Sequence, residues 1–151
     1  MRIAIASDEP YPVVEHVRAR VQARGHEVIA VGALRDGAEQ PWATVAEAAA
    51  ELVARGTCDE GIFFCWSGTG ISIAANKVRG IRAALCADPG AARAARVWNH
   101  ANVLCLSNRT LANDVADEIL QAWFETPADD QGDAGVALLL QVEARQHDKA
   151  E

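Results

Sequence analysis

The sequence predicts a doubly wound α/β fold. Short apolar runs of strand length alternate with longer segments whose apolar residues recur at helical spacing. Half of the 151 residues are hydrophobic, which is enough for the core of one domain. Such alternation is typical of parallel strands joined by right-handed crossovers, with helices on both faces of the sheet. We therefore predict a three-layer sandwich of the flavodoxin or Rossmann-like kind, with five parallel strands.

Each element of the first half has its own signal. Pro12 suits the first turn of a helix whose valines recur on one face, and Gly25 ends that helix. Gly56 ends an alanine-rich helix in the same way. The predicted elements are a strand at 3–7, a helix from 12 to Gly25, a strand at 27–31, a turn-rich loop at 32–41, a helix at about 44–55 and a strand at 61–65.

The second half continues the alternation and ends in a tail of different composition. Its predicted elements are a helix beginning near 71, a strand at 81–86, a helix at 89–97, a strand at 102–106 and a helix at 111–124. Residues 127–133 are acidic and turn-rich, and the apolar run at 136–142 predicts a helix that docks. We divide the single domain 1–151 into a core at 1–126 and a linker with a C-terminal helix at 127–151.

Charge and composition exclude several classes of partner. The net charge of −7 disfavours nucleic acid and anionic membranes, because an acidic protein does not attract either. No apolar stretch approaches the roughly 20 residues of a membrane span. The four cysteines lack Cys-x-x-Cys spacing and predict reduced thiols, and no cluster predicts a metal site. We expect a cytoplasmic protein that binds a small molecule.

The stretch from strand 61–65 into the next helix carries the chemistry. Cys65 ends the strand, and Gly68 and Gly70 allow a turn whose N–H groups point inward before the helix. Such a turn favours an anion and lowers the pKa of a nearby thiol. Cys65 is therefore a candidate nucleophile or general base, although a cysteine at a strand end also serves simply as core packing. The patterns of cysteine phosphatases and of Walker loops are absent from the sequence.

These residues resemble ribose-5-phosphate isomerase type B and its galactose-6-phosphate isomerase relatives. The matching blocks are Gly-Ile-Ser-Ile-Ala-Ala-Asn-Lys at 70–77, Gly-Ile-Arg-Ala-Ala-Leu-Cys at 80–86, Ile-Ala-Ile-Ala-Ser-Asp at 3–8, Gly-His-Glu-Val at 25–28, and Asn99 with Ala-Asn-Val-Leu at 101–104. The resemblance spans about residues 1–125 and implies the strand order 2-1-3-4-5. It also implies aldose–ketose isomerisation through a cis-enediolate, with no cofactor and no metal ion.

The resemblance implies a role for each residue of the site. Cys65 is the proton-transfer base, Asp8 holds a sugar hydroxyl or helps to open the ring, and Ser67 belongs to an enediolate cradle with the following N–H groups. From the residues alone, Asp8 is as well explained as a helix N-cap. The residues expected to contact the substrate or an anion are Glu9, Trp42, Trp66, Gly68, Thr69, Gly70, Ile71, Ser72, Asn76, Trp98, Asn99, His100 and Arg109.

The resemblance also implies a homodimer or homotetramer with shared sites. The segment 98–100 is expected to reach into the pocket of a neighbouring subunit. The apolar run at 136–142 then has two interpretations. It packs on its own subunit, or it lies across the dimer partner.

The departures from the family pattern concern the substrate. Glu9 stands where a histidine is usual, Trp66 where a glycine follows the cysteine, Trp42 where a tyrosine is common, and Trp98 at the family's histidine. Residues 126–142 contain no arginine, so only Arg109 matches a phosphate-binding position. We therefore expect an unphosphorylated or atypical sugar and poor activity on ribose 5-phosphate. The alternative is a sugar- or anion-binding module, or a hetero-oligomer subunit, without catalytic activity.

Overall fold

The predicted alternation of strands and helices is present in the computed structural model, which describes residues 1–147. In chain order the elements are β1 (Arg2–Ser7), α1 (Pro12–Ala23), β2 (Glu27–Gly32), α2 (Ala33–Asp36), α3 (Trp42–Ala54), β3 (Glu60–Cys65), α4 (Thr69–Ala75), β4 (Ala83–Leu85), α5 (Pro89–Asn99), β5 (Val103–Ser107), α6 (Asn113–Glu125), a 3₁₀ turn (Asp130–Gly132) and α7 (Asp133–His147). The α/β fold class is therefore confirmed. The last part of the predicted 127–151 segment, 148–151, lies outside the described residues.

The sheet is parallel throughout, but its strand order is 2-1-3-5-4 and not the expected 2-1-3-4-5. The last two strands exchange places, and the length and composition of each strand suit the place that it takes. β5 has an apolar, fully buried run at Val103–Leu106, which suits an interior strand. β4 has only three residues, none of them fully buried, and short strands of this kind suit a sheet edge. The predicted strand at 81–86 is correspondingly shorter.

Helices cover both faces of the sheet and make two apolar layers. The valines of α1 pack with apolar residues of α5 and α6 on one face, where Trp123 is the largest fully buried side chain. The alanines and valines of α3 pack with Ile71 and Ala75 of α4 on the other face. The one-turn helix α2 lies inside the predicted loop 32–41 and ends at Gly37, which has a φ of 72°. None of the helices in the described part of the chain is long and apolar enough to cross a membrane.

A buried ion pair ties α5 and α6 to the start of β3. Glu60 accepts a 2.7 Å hydrogen bond from Trp123 Nε1 and lies 2.9 Å from an Arg96 guanidinium nitrogen. Arg96 also donates to the carbonyl oxygens of Ala101 and Thr126, at 2.7 and 3.2 Å. Because Glu60 begins β3, this contact places the C-terminal half of α5 at the amino end of the sheet.

The tail helix packs on its own chain only in part. Gly132 lies against the carbonyl oxygen of Val97 in α5, and Glu143 accepts a 2.8 Å hydrogen bond from the N–H of Gly80. Val136 is buried, whereas the next apolar residues are exposed: Leu138, Leu139, Leu140 and Val142. The start of the apolar run therefore packs on its own chain, and the rest of the run is exposed in the single chain.

Candidate active site

Asp8 and Cys65 lie side by side at the carboxyl edge of the sheet. β1 and β3 are neighbouring parallel strands, and Ser7 pairs with Phe64. The residues that follow this pair, Asp8 and Cys65, therefore lie at the same height in the sheet. Cys65 is 5% exposed at the end of β3. Its carbonyl oxygen accepts a 3.0 Å hydrogen bond from the N–H of Asn108, which follows β5. The thiol is therefore held where three parallel strands end, which is the usual ligand position in such sheets.

The turn after Cys65 depends on Gly68. This residue has a φ of 77°, a backbone conformation that favours glycine. A Cβ at this position would lie 2.9 Å from the carbonyl carbon of Leu106 and 2.6 Å from Leu85 Cδ1. Gly68 thus lets the chain pass close to β5 and begin α4 directly beside the thiol.

Asp8 is a buried carboxyl group in the loop that follows β1. It is 7% exposed, and its carboxyl group lies beside the Tyr11 hydroxyl and the backbone N–H groups of Asp8 and Glu9. Burial, with the neighbouring Glu9 carboxylate as a second cause, raises the pKa of Asp8 above its usual 3.8. Asp8 does not cap α1, because Tyr11 occupies the N-cap position. The buried carboxyl group is therefore a candidate partner for a ligand hydroxyl.

Tyr11 is a residue that the sequence analysis missed. Its hydroxyl is buried and lies beside the carboxyl groups of Asp8 and Glu9. Burial raises the pKa of Tyr11, and the Asp8 and Glu9 carboxylates add to that shift. The sequence indicated its place only indirectly. Tyr11 comes three residues after Asp8, and both belong to the loop that follows β1.

The predicted amide cradle is smaller than expected. The Thr69 N–H donates to Ser67 Oγ at 3.3 Å, and the Ser72 N–H donates to the Gly68 carbonyl oxygen at 3.2 Å. These two groups are already used inside the loop and helix. The candidate cradle is thus reduced to the N–H groups of Gly68, Gly70 and Ile71.

Two exposed indoles flank the start of α4. Trp42, at the start of α3, packs on Gly70, where a Cβ would lie 3.2 Å from the indole ring. Trp66 stacks with Arg109, whose guanidinium carbon lies 4.8 Å from the ring centroid. The two tryptophans are nevertheless 46% and 57% exposed. The predicted substrate contacts that come together around the loop 66–70 are therefore Trp42, Trp66, Gly68, Thr69, Gly70 and Arg109.

The profile of the ribose/galactose isomerase family matches residues 3–136. The chain belongs to this family. It is 37% identical over 124 residues to ribose-5-phosphate isomerase B of Escherichia coli K12, covering 82% of this chain and 83% of that one. It is 30% identical over 127 residues to 4-deoxy-4-sulfo-D-erythrose isomerase of Clostridium sp. MSTE9, covering 83% and 80%. Membership confirms the predicted enzyme class, an aldose–ketose sugar isomerase.

A solved structure of the family has the same fold. Ribose-5-phosphate isomerase B of Clostridium thermocellum superposes with a TM-score of 0.90 at 35% identity, covering 97% of this chain and 99% of that one. The similarity therefore includes the tail, where the sequence resemblance described above had faded.

In this family member, the segment 98–100 does not lie near its own Cys65. Trp98 and Asn99 end α5 at the amino end of the sheet, whereas Cys65 lies at the carboxyl end. His100 follows with a φ of 45°, and its Nε2 atom lies 2.9 Å from the Asp129 carbonyl oxygen. Within a single chain, this segment therefore contacts the tail through His100.

Asn76 also has a structural role in the single chain. Its side-chain amide donates to the carbonyl oxygens of Ser72 and Ala83, at 3.1 and 2.9 Å, and accepts from the Ala83 N–H at 2.8 Å. Asn76 therefore ties the end of α4 to the edge strand β4. It lies at the opposite end of α4 from the loop that follows Cys65.

The other three thiols lie outside this loop and are buried. Burial raises the pKa of Cys86 to about 11, and it also raises the pKa values of Cys58 and Cys105. At neutral pH these groups stay protonated. No group of three or more His, Cys, Asp or Glu residues within 1–147 is placed to hold a metal ion.

Proposed function

We propose that this isomerase interconverts an aldose and a ketose that carry no phosphate, or an otherwise atypical sugar, by cofactor-free proton transfer through a cis-enediolate. The observation that carries the proposal is the juxtaposition of Cys65 and Asp8 at the carboxyl edge of β3 and β1. A base and a carboxyl group at one cleft are what ring opening followed by enolisation requires.

Each group in the cleft has one task. The Cys65 thiolate removes the proton from the carbon next to the carbonyl group and returns it to the carbonyl carbon, while the hydroxyl proton passes from one enediolate oxygen to the other. The N–H groups of Gly68, Gly70 and Ile71 stabilise the enediolate oxygen as its charge develops. Asp8 exchanges a proton with the ring oxygen or hydroxyl, and because burial raises its pKa, a larger fraction of it carries a proton to donate at a given pH than of an exposed aspartate. General acid and base catalysis of this kind contributes about 10²–10⁴-fold in rate.

The charges at the cleft support a substrate without a phosphate. Arginine is absent from residues 126–142, and Glu9 adds a negative charge next to Asp8. Each missing charge-assisted hydrogen bond costs about 1.5–3 kcal/mol of binding free energy. One relative in the family is named for a substrate with a sulfo group, so the fold accommodates end groups other than phosphate.

We also infer that a second copy of the chain completes the pocket. The segment 98–100 lies at the amino end of its own sheet, whereas Cys65 lies at the carboxyl end. Trp98, Asn99 and His100 therefore do not contact a sugar that is bound at Cys65 of the same chain. A groove of about 710 Å³ runs between β4, α5 and α7, and Leu139, Leu140 and Val142 line it. An apolar groove beside exposed leucines favours burial against another subunit. The proposed unit is a homodimer or a homotetramer.

The experiment is a panel of free and phosphorylated tetroses, pentoses and hexoses incubated with the protein in D₂O. We expect deuterium at the carbon next to the carbonyl group, with a higher kcat/KM for an unphosphorylated sugar than for ribose 5-phosphate. A higher kcat/KM for ribose 5-phosphate than for every free sugar contradicts the substrate proposal. Deuterium incorporation into none of them contradicts the reaction and favours a binding module.

A further inference from the structure

Tyr11 lies in a short loop whose backbone is fixed. Two prolines, Pro10 and Pro12, flank it, and a residue that precedes a proline is restricted to extended conformations. Tyr11 accordingly has a φ of −119° and a ψ of 139°. In the same loop, the Asp8 carbonyl oxygen accepts a 2.8 Å hydrogen bond from the N–H of Gln40. The loop is therefore a rigid support for the side chains that it carries.

The hydroxyl group of Tyr11 is buried beside two carboxyl groups. The Tyr11 ring packs against the apolar layer that contains the valines of α1, and its hydroxyl lies beside Asp8 and Glu9. The hydroxyl oxygen and Asp8 Oδ1 are both buried atoms. Buried polar atoms are normally hydrogen-bonded, and next to a carboxylate a phenol hydroxyl is the donor. The packed ring and the rigid backbone therefore place one O–H donor at the Asp8 carboxyl group.

Tyr11 is the side chain that offers this donor, because the nearby cation is already paired. The charged residues that line the adjacent cleft of about 500 Å³ are Glu9, Glu15, Arg35 and Asp36. Arg35 donates to the Asp36 carboxylate at 2.6 and 2.8 Å. On the β3 side, Cys65 is the titratable group at the height of Asp8. In the described part of the chain, the other donors to the Asp8 carboxylate are backbone N–H groups of its own loop.

We propose that Tyr11 is a positioning residue that acts through Asp8: its hydroxyl hydrogen-bonds the Asp8 carboxylate, holds it in one orientation and stabilises its charged form against the negative charge of Glu9. Asp8 must take a proton from a sugar hydroxyl as well as give one back, whereas burial beside Glu9 favours only the protonated form. A hydrogen bond to the charged form has the opposite effect. This inference rests on the proposed function, in which Asp8 exchanges a proton with the substrate.

The test follows the Asp8 carboxyl carbon by ¹³C NMR from pH 3 to pH 8, with Asp8→Asn used to assign its signal. Tyr11→Phe keeps the packed ring and removes the hydroxyl, so the midpoint of the Asp8 titration should move to higher pH. Glu9→Gln removes the repelling charge and should move that midpoint to lower pH. Because Tyr11 is the only tyrosine of the chain, its hydroxyl-bearing ring carbon is readily assigned, and in the wild type its signal should shift as Asp8 titrates.

Kinetics provide a second readout. Tyr11→Phe should lower kcat for the best sugar of the panel about three- to tenfold, which is the effect of one lost hydrogen bond, and should change KM by less than about twofold. A merely structural role of Tyr11 would leave the midpoint of the Asp8 titration unchanged.

An Asp8 midpoint in Tyr11→Phe that is unchanged or lies at lower pH overturns the inference, and so does a wild-type kcat in this variant. If the wild type converts no sugar, the proposed function fails, while the NMR titration still decides whether Tyr11 holds Asp8.

Discussion

Gly68 lies so close to the backbone of Leu106 that a Cβ would come within 2.9 Å of its carbonyl carbon. We predict that Gly68→Ala lowers the free energy of unfolding by about 2–4 kcal/mol, because it combines a left-handed backbone with a clash. Gly56→Ala is the matched control, since Gly56 has a φ of 72° but open space around its Cβ position. Gly56→Ala should lower the free energy of unfolding by only about 1–2 kcal/mol.

Urea unfolding measures both variants. Equal losses of stability in Gly68→Ala and Gly56→Ala would show that the loop after Cys65 is not packed against β5 as described. A smaller loss in Gly68→Ala would count even more strongly against it.

The buried pair of Glu60 and Arg96 supplies the second prediction. Glu60→Leu leaves the Arg96 guanidinium and the Trp123 N–H without their partner, so the free energy of unfolding should fall by about 3–5 kcal/mol. As a control, Arg55→Ala removes an exposed ion pair with Glu51. This substitution should change the free energy of unfolding by less than about 0.5 kcal/mol. If thermal or urea unfolding gives similar losses for the two variants, the pair does not hold α5 and α6 to β3.

Asp8 predicts a characteristic dependence of stability on pH. Because its pKa is raised on folding, the folded state binds the proton more tightly than the unfolded state, and the free energy of unfolding falls as pH rises from about 3.8 through the raised pKa. Asp8→Asn removes this decrease in the free energy of unfolding, because an asparagine side chain does not titrate. The stability of the variant minus that of the wild type should therefore increase with pH across this window and then stay constant.

Other carboxyl groups titrate in both proteins and cancel in that difference. Urea titrations between pH 3 and pH 7 measure it, and catalytic turnover of Asp8→Asn should fall in the same preparations. A difference that shrinks as pH rises would mean that Asp8 is stabilised in its charged form.

The fold was predictable from alternation, but the strand order was not. Pro12 and Gly25 mark a helix by local backbone chemistry, and the structure has α1 between them. Strand order depends on which strand is buried on both faces, and the apolar runs of β4 and β5 look alike in sequence. Their difference arises in three dimensions, where β5 pairs with both β3 and β4.

The site was predictable only where strand ends determine it. Asp8 and Cys65 come together because parallel neighbouring strands end at one edge. The stacking of Trp66 on Arg109 links residues whose sequence separation gives no periodic signal. His100 is a residue for which the sequence pattern was not sufficient. Its Nε2 atom contacts the Asp129 carbonyl oxygen in the tail, and nothing in the sequence indicates this contact.

Shared sites predict complementation between inactive chains. Cys65→Ala and Trp98→Ala homo-oligomers should each be weakly active, and mixing them after partial unfolding should restore up to about one quarter of wild-type activity, because some mixed sites carry both wild-type groups. Mixing Cys65→Ala with Asp8→Asn is the control, since both residues lie on the same side of the site. A protein that is active as a monomer by light scattering at micromolar concentration would contradict the shared pocket.

The role of Cys65 is tested most directly by deuterium exchange from D₂O into the best substrate of the panel. Cys65→Ala should lower the exchange rate at least a hundredfold while the protein stays folded, because it removes the base that takes the proton. Cys105→Ala, which removes a fully buried thiol in β5, should exchange at nearly the wild-type rate. A Cys65→Ala protein that still exchanges deuterium at close to the wild-type rate would contradict the proposed mechanism.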